Sequence, residues 1–446
     1  MVMKSHLQNR NHYNISLIYF YCFNYMDVKL MKRSTKKLLM RLLPVIALFL
    51  AINIGFGIEY YLRIPKDWYT VTAAGEYNTY NNSYYNATSQ GFAIDTSEKI
   101  AYVTSGEELL ILDYNNLDSP SLLSSYNKST VTLDVAIDGD IAVVTSAKNI
   151  SIIDISNPAS PIGLSNFSIH EDYTVRDVDI KDDMVYLAVR ADYLGPEPGL
   201  NNRILYVVNI TNPSAPTEIS TLRRYGTYGD ELFIYGDILY LSQDDWGTVL
   251  IDISDPASPS LYSGYYSLFG LVSHLPQYVN VQKTEVRSID GLTYIFVADL
   301  ENGYVIGDVT NTAGPQPIDG VILRDVVSLH LTSNLAFVLR STGQTLVYSL
   351  KKPTKFNIVG KFDPYGETLI AKDIYVHQAT STVFILRNNG LALYHLREGV
   401  KNDYYLEEIS FGYTWIAIGL SLLICVPMFI SVVIRHKETL AYSSKF

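Results

Sequence analysis

Between about residue 90 and residue 400 the apolar positions come in short blocks, many of them ending at Asp, Asn, Gly or Pro. Residues 132–137 (TLDVAI) alternate apolar and polar, the period-2 signature of a strand with one face buried. Asp138-Gly139-Asp140 is a hairpin turn, and IAVVTS (141–146) is the next apolar block. A second turn at 147–149 leads to ISIIDI (150–155). Asn157-Pro158-Ala159-Ser160-Pro161 then stops the sheet, because proline cannot donate to a ladder. IGLSNFSI (162–169) supplies a fourth strand.

This four-strand grammar recurs. ILDYNNLDSP (111–120), SIIDISNPASP (151–161), VVNITNPSAP (207–216) and LIDISDPASP (250–259) restate one phrase. Its Asp position is marked at Asp113, Asp154, Asn209, Asp252, Asp308, Tyr348 and Tyr394, with spacings of 41, 55, 43, 56, 40 and 46. A base period of 40–45 residues with two insertions predicts an all-β propeller of four-stranded blades. Seven markers imply seven blades, and the weaker last two repeats leave six to eight compatible with the pattern. The insertions are read at Ala191–Asn202 and near Gln277–Glu285. Two stretches, 68–78 and 404–410, compete to supply the strand that closes the ring.

The same residues resemble the LVIVD-repeat family, whose repeats run as an apolar strand, an Asp and a Ser/Asn-Pro-x-x-Pro turn. The likeness is close in IIDISNPASP and LIDISDPASP, good in VVNITNPSAP and partial in ILDYNNLDSP and IGDVTNTAGP. The resemblance implies surface-exposed β-propellers of bacteria and archaea, mostly without an assigned activity.

Outside the repeats the hydropathy changes. Residues 42–58 are seventeen residues without a charge, preceded by Lys36, Lys37 and Arg41. They read as a transmembrane signal-anchor or as a cleaved signal. Residues 414–434 are twenty-one uncharged, mostly apolar residues followed by Arg435, His436 and Lys437, long enough to span a bilayer. The positive-inside rule puts both termini in the cytoplasm. The expected order is a basic tail 1–41, in which Met31 offers a second start, then the span 42–58. An extracytoplasmic propeller at 67–410, a span at 414–434 and a basic tail at 435–446 complete a two-pass cell-membrane protein.

Charge follows that division. The formal net charge is −11, with +7 in residues 1–41, +2 in 435–446 and −20 in between. An acidic domain with basic tails excludes nucleic acid as the expected partner. The two cysteines, Cys22 and Cys425, both lie outside the repeats, which rules out disulfides and cysteine metal sites within them.

Candidate chemistry is sparse. The first strands open on acidic residues, Asp134, Asp177 and Glu231, with Asp325 and Asp373 less well aligned. First strands line a propeller's channel, so these carboxylates either form a cation-attracting ring at its mouth or bond the backbone of neighbouring blades. Asp299-Leu300-Glu301-Asn302-Gly303 places oxygen ligands before a glycine, and calcium is the single cofactor it suggests. Ser242–Gly247 reads as a hairpin, and His330 and His395 as strand residues. Of six sequons between the two apolar stretches, Asn81, Asn86 and Asn127 are the glycosylation candidates. No nucleophile, metal or phosphate-loop motif is present. The expected function is a surface binding or scaffold module for another surface protein or a glycan. The alternatives are a glycan-active enzyme and an accessory subunit of a membrane complex.

Overall fold

The apolar blocks form antiparallel strands, and the turn residues between them form the connections. The computed structural model describes residues 69–78, 89–192, 201–225, 229–243, 247–262, 279–363 and 370–398. Lys66–Lys401 form one compact unit.

The chain enters at β1 (Tyr69–Asn78). Blade 1 is β2 (Ser89–Asp95), β3 (Ile100–Ser105), β4 (Glu108–Asp113) and β5 (Ser121–Asn127). Blade 2 is β6 (Thr132–Asp138), β7 (Ile141–Ser146), β8 (Asn149–Asp154) and β9 (Ile162–Ser168). Blade 3 is β10 (Tyr173–Lys181), β11 (Met184–Ala191), β12 (Asn201–Asn209) and β13 (Thr217–Tyr225). Blade 4 is β14 (Glu231–Tyr235), β15 (Ile238–Ser242), β16 (Thr248–Asp252) and β17 (Ser260–Leu261). Blade 5 is β18 (Val281–Ile289), β19 (Leu292–Asp299), β20 (Gly303–Asp308) and β21 (Gln316–Val321). Blade 6 is β22 (Val326–Leu331), β23 (Leu335–Arg340), β24 (Thr345–Ser349) and β25 (Ile358–Phe362). Blade 7 is β26 (Ala371–His377), β27 (Thr382–Arg387), β28 (Gly390–Glu398) and, from the other end of the chain, β1.

The protein is thus an all-β, seven-bladed propeller of four-stranded blades. Closure falls to the 69–78 strand, which lies antiparallel to β28 and pairs Tyr69 with Glu398 and Asn78 with Gly390. Residues 404–410 lie outside the described residues. Gly390 sits at φ +140°, and a Cβ there would stand 1.9 Å from the Tyr77 carbonyl oxygen. Only glycine lets β1 approach so closely.

The middle strands read as unbroken apolar runs because blades stack on both their faces. β3 (IAYVTS) and β27 (TVFILR) are buried at every position. Each inter-blade layer joins neighbouring sheets: Tyr102, Ile111, Val135, Val144 and Ile153 share one layer between blades 1 and 2. The seam between blades 1 and 7 is sealed in the same way by Leu110, Tyr114, Phe384 and Leu393, so the closing junction is packed like the others.

The repeated phrase has a physical role at the third-to-fourth strand turn. The side-chain oxygen of the marker residue accepts the N–H two residues on, at Asp113, Asp154, Asn209, Asp252 and Asp308. Three residues later Asn116, Asn157, Asn212, Asp255 and Asn311 repeat the same bond. These paired Asx turns close the blade edge. A serine of the preceding blade's outer strand then bonds the turn's proline carbonyl: Ser124 to Pro158, Ser165 to Pro213 and Ser220 to Pro256, at 2.5–2.6 Å.

Three sequence expectations need correction. In blades 6 and 7 the marker position is Ser349 and His395 rather than Tyr348 and Tyr394. Ser349 and His395 pair with Leu335 and Thr382, as Asp154 pairs with Ile141, while both tyrosines face the buried layers. The second insertion precedes Val279: Val281–Ile289 is the first strand of blade 5, extended by a longer hairpin. Asp325 is not in a first strand but precedes β22 at φ +63°, its N–H bonded to the Leu300 carbonyl.

Among the described residues no helix is long and apolar enough to cross a membrane. The segments 42–58 and 414–434 lie outside the described residues, as do Asn81 and Asn86.

Candidate site in the axial channel

The strand order fixes what each end of the channel carries. The first-to-second hairpins and the Asx–proline turns share one face. The second-to-third turns and the blade-to-blade connections share the opposite face, where β11 ends and β12 begins and where β17 ends and β18 begins. Tyr69 and Glu398, a paired couple, both lie at the Asx–proline face.

Inside, the first strands present one side chain each at an equivalent position. Counting back from the hairpins, that ring is Gly91, Asp134, Asp177, Glu231, Lys283, Ser328 and Asp373. A β-bulge lies at or beside this position in six of the first strands, those other than β14. A bulge re-aims a side chain and frees an N–H. Second-strand threonines take up that N–H in two blades: Thr104 Oγ1 accepts from Gly91 and Thr145 Oγ1 from Asp134. The local sequence Val-Thr-Ser in β3 and β7 is thus part of the same device as the inward-aimed residue.

The structure brings Asp134, Asp177 and Glu231 to one level of a channel cavity of about 580 Å³. Asp134 and Asp177 hydrogen-bond to each other. Asp177 also accepts the Val178 N–H at 2.9 Å and, from the next blade, the Leu232 N–H at 2.7 Å. Glu231 accepts the Thr284 N–H of its next blade at 3.0 Å. Lys283 donates to both Asp373 oxygens, at 2.7 and 2.9 Å, and Ser328 Oγ donates to Asp373 at 2.5 Å. Carboxylates therefore serve as inter-blade staples while facing the channel.

Burial pushes the Asp134, Asp177 and Glu231 carboxyls up, and the mutual repulsion of Asp134 and Asp177 adds to the rise at Asp177. At Lys283 burial acts downward, but the Asp373, Glu231 and Glu285 charges outweigh it and hold the ammonium above its ordinary range. A second layer lies two residues on. It contains Asp179, raised by burial to about 6, and Glu285, whose oxygens take His330 Nδ1 at 3.0 Å and the Leu331 N–H at 2.8 Å. The His330 ring lies 4.6 Å from that of Tyr375. At the mouth Arg176 pairs with Asp230 at 3.2 Å and Lys372 donates to Gln90 at 2.8 Å.

Sequence reading missed Lys283, Asp179 and Glu285. The usable signal was the count back from each hairpin, and the longer blade 5 hairpin hid Lys283 from it. The Asp134–Asp177 pair is in direct contact, whereas acid and nucleophile carboxyls of retaining glycosidases stand about 5 Å apart. This pair does not offer that spacing.

The remaining candidates have structural partners. Asp299 Oδ1 accepts the N–H groups of Glu301 and Asn302, and Oδ2 accepts that of Asn280, so the carboxylate caps its hairpin. Among the described residues no group of three or more His, Cys, Asp or Glu is placed to hold a metal. Ser242 is buried and Gln243 N–H bonds the Gly247 carbonyl, with 244–246 outside the described residues. His395 Nε2 lies 3.5 Å from Asp118. Asn127 is exposed at the end of β5, where Ser129 N–H bonds its side chain at 2.8 Å.

Comparison with known proteins agrees with this architecture. The LVIVD repeat is found in five segments, residues 93–128, 131–168, 199–223, 226–266 and 292–318. They fall in blades 1 to 5, where the paired Asx turns occur. No curated protein matches the chain.

Proposed function

We propose that this LVIVD-repeat propeller is a membrane-held binding module that displays one face of its ring to a protein or glycan at the cell surface. The observation that carries the reading is the Tyr69–Glu398 pair. It brings the entering and leaving strands together on the Asx–proline face. The apolar stretches 42–58 and 414–434 follow from there by connections of ten and fifteen residues. Anchoring through them leaves the opposite face, with its longer connections, turned outward. Connections of that kind are where binding residues concentrate on a rigid scaffold.

The full chain, expressed in membranes, should resist alkaline extraction. Replacing 193–200 by a Gly/Ser segment should leave the melting temperature unchanged and abolish capture of the surface partner from intact cells. Release of the chain by alkali, or capture undiminished by the replacement, would sink the proposal.

A further inference from the structure

We propose that the channel ring is a proton-operated latch: one proton shared by Asp134 and Asp177 joins blades 2 and 3 at the axis, and losing it loosens that seam. Asp134 and Asp177 stand at equivalent positions on neighbouring first strands and line the same cavity, and two carboxyls that meet there have a donor between them only when one is protonated. Both side chains are tied to their surroundings on the strand side while facing the cavity. Asp134 lies against Gly91, where a Cβ would stand 2.0 Å from its Oδ1. Asp177 is held by the Val178 and Leu232 N–H groups.

The charges around the pair do not neutralise it. On its own strand β10 contributes Arg176, which pairs with Asp230 just before β14, and Asp179. β6 ends in Asp138, and β14 adds Glu231. β18 contributes Lys283, which pairs with Asp373 of β26, and Glu285, which holds His330 of β22. β26 also contributes Lys372, bonded to Gln90 of β2, and Tyr375. Each of these cations already has an acid or amide, so ionising the pair adds negative charge to a channel in which acids outnumber bases.

The direction of the pH effect follows. Both carboxyls are raised in the folded chain, so their favourable contribution is complete below the ordinary aspartate range. It is lost as pH rises through the folded values.

The test uses the full-length protein in detergent. Infrared difference spectra should show a protonated-carboxyl carbonyl band at neutral pH that is lost in Asp134→Asn and in Asp177→Asn, and that bleaches as pH is raised. The melting temperature of the native chain should fall as pH is raised above the ordinary aspartate range. In Asp134→Asn, whose amide can still donate to Asp177, that fall should be much shallower. If Asp134→Asn does not fold, Asp177→Asn and the native spectrum carry the test. A native chain without the band at neutral pH, a band untouched by either substitution, or an equal fall in both melting profiles would overturn the latch.

Discussion

At the scale of single residues, the repeat is held together by short polar bonds at its turns as much as by its apolar blocks. The Ser165 hydroxyl reaches across a blade boundary to the Pro213 carbonyl. Ser165→Ala removes that bond and should cost about 1 kcal/mol in urea unfolding. Ser168→Ala, at an exposed position on the same strand, should stay within about 0.5 kcal/mol. Equal effects would mean that the stitch does not contribute. The turns were legible in the sequence because Asp-x-x-Asn-Pro has one common use, closing a chain on its own side chains. The stitch was not legible, since serine in an outer strand is ordinary and its acceptor lies 48 residues away.

At the scale of elements, closure depends on β1 and on one glycine. Gly390→Ala puts a Cβ into the Tyr77 carbonyl at a φ that disfavours side chains. It should destabilise the protein by about 3 kcal/mol or more. Gly139→Ala, at φ +52° with open space around it, should cost only about 1 kcal/mol. Amide exchange in β1 and β28 should speed up selectively in the Gly390 variant. A uniform change across all blades would argue against a local closing seam. Spacing pointed to seven blades, but period and strand grammar agree only through blade 5, and the weaker last two repeats left six to eight open. Closure was not, because β1 and β28 are joined by pairing across more than three hundred residues, and two apolar stretches fitted the role equally well. Register in the last blades failed for a related reason: Tyr348 and Tyr394 satisfy an apolar pattern one residue before the true marker positions, Ser349 and His395.

At the scale of the whole molecule, two sets of carboxyls pull stability in opposite directions. Those of Asp154 and Asp252 lie below their usual range, held by the Ser156 and Ser254 hydroxyls and N–H groups. Their contribution is present above the ordinary aspartate value and lost as pH falls. The channel ring behaves oppositely. Stability should therefore peak in mild acid, and a pH series of thermal melts checks it; a maximum above neutral would contradict the raised channel carboxyls. The candidate ring itself was half legible. Asp134, Asp177 and Glu231 stand out as acidic residues in first-strand patterns, although only Glu231 opens its strand, and the Asp134–Asp177 contact and the Lys283–Asp373 pair exist only once seven strands converge.

The central functional claim is that the ring turns its Asx–proline face to a bilayer, and one measurement addresses it directly. In a cysteine-free background, Ala159→Cys marks that face and Thr130→Cys the opposite one, both at exposed positions. Each full-length variant is labelled with a fluorophore and reconstituted into vesicles carrying headgroup-spin-labelled lipid. The account predicts strong quenching at position 159 and little at position 130. Quenching confined to position 130, or absent at both, would contradict it.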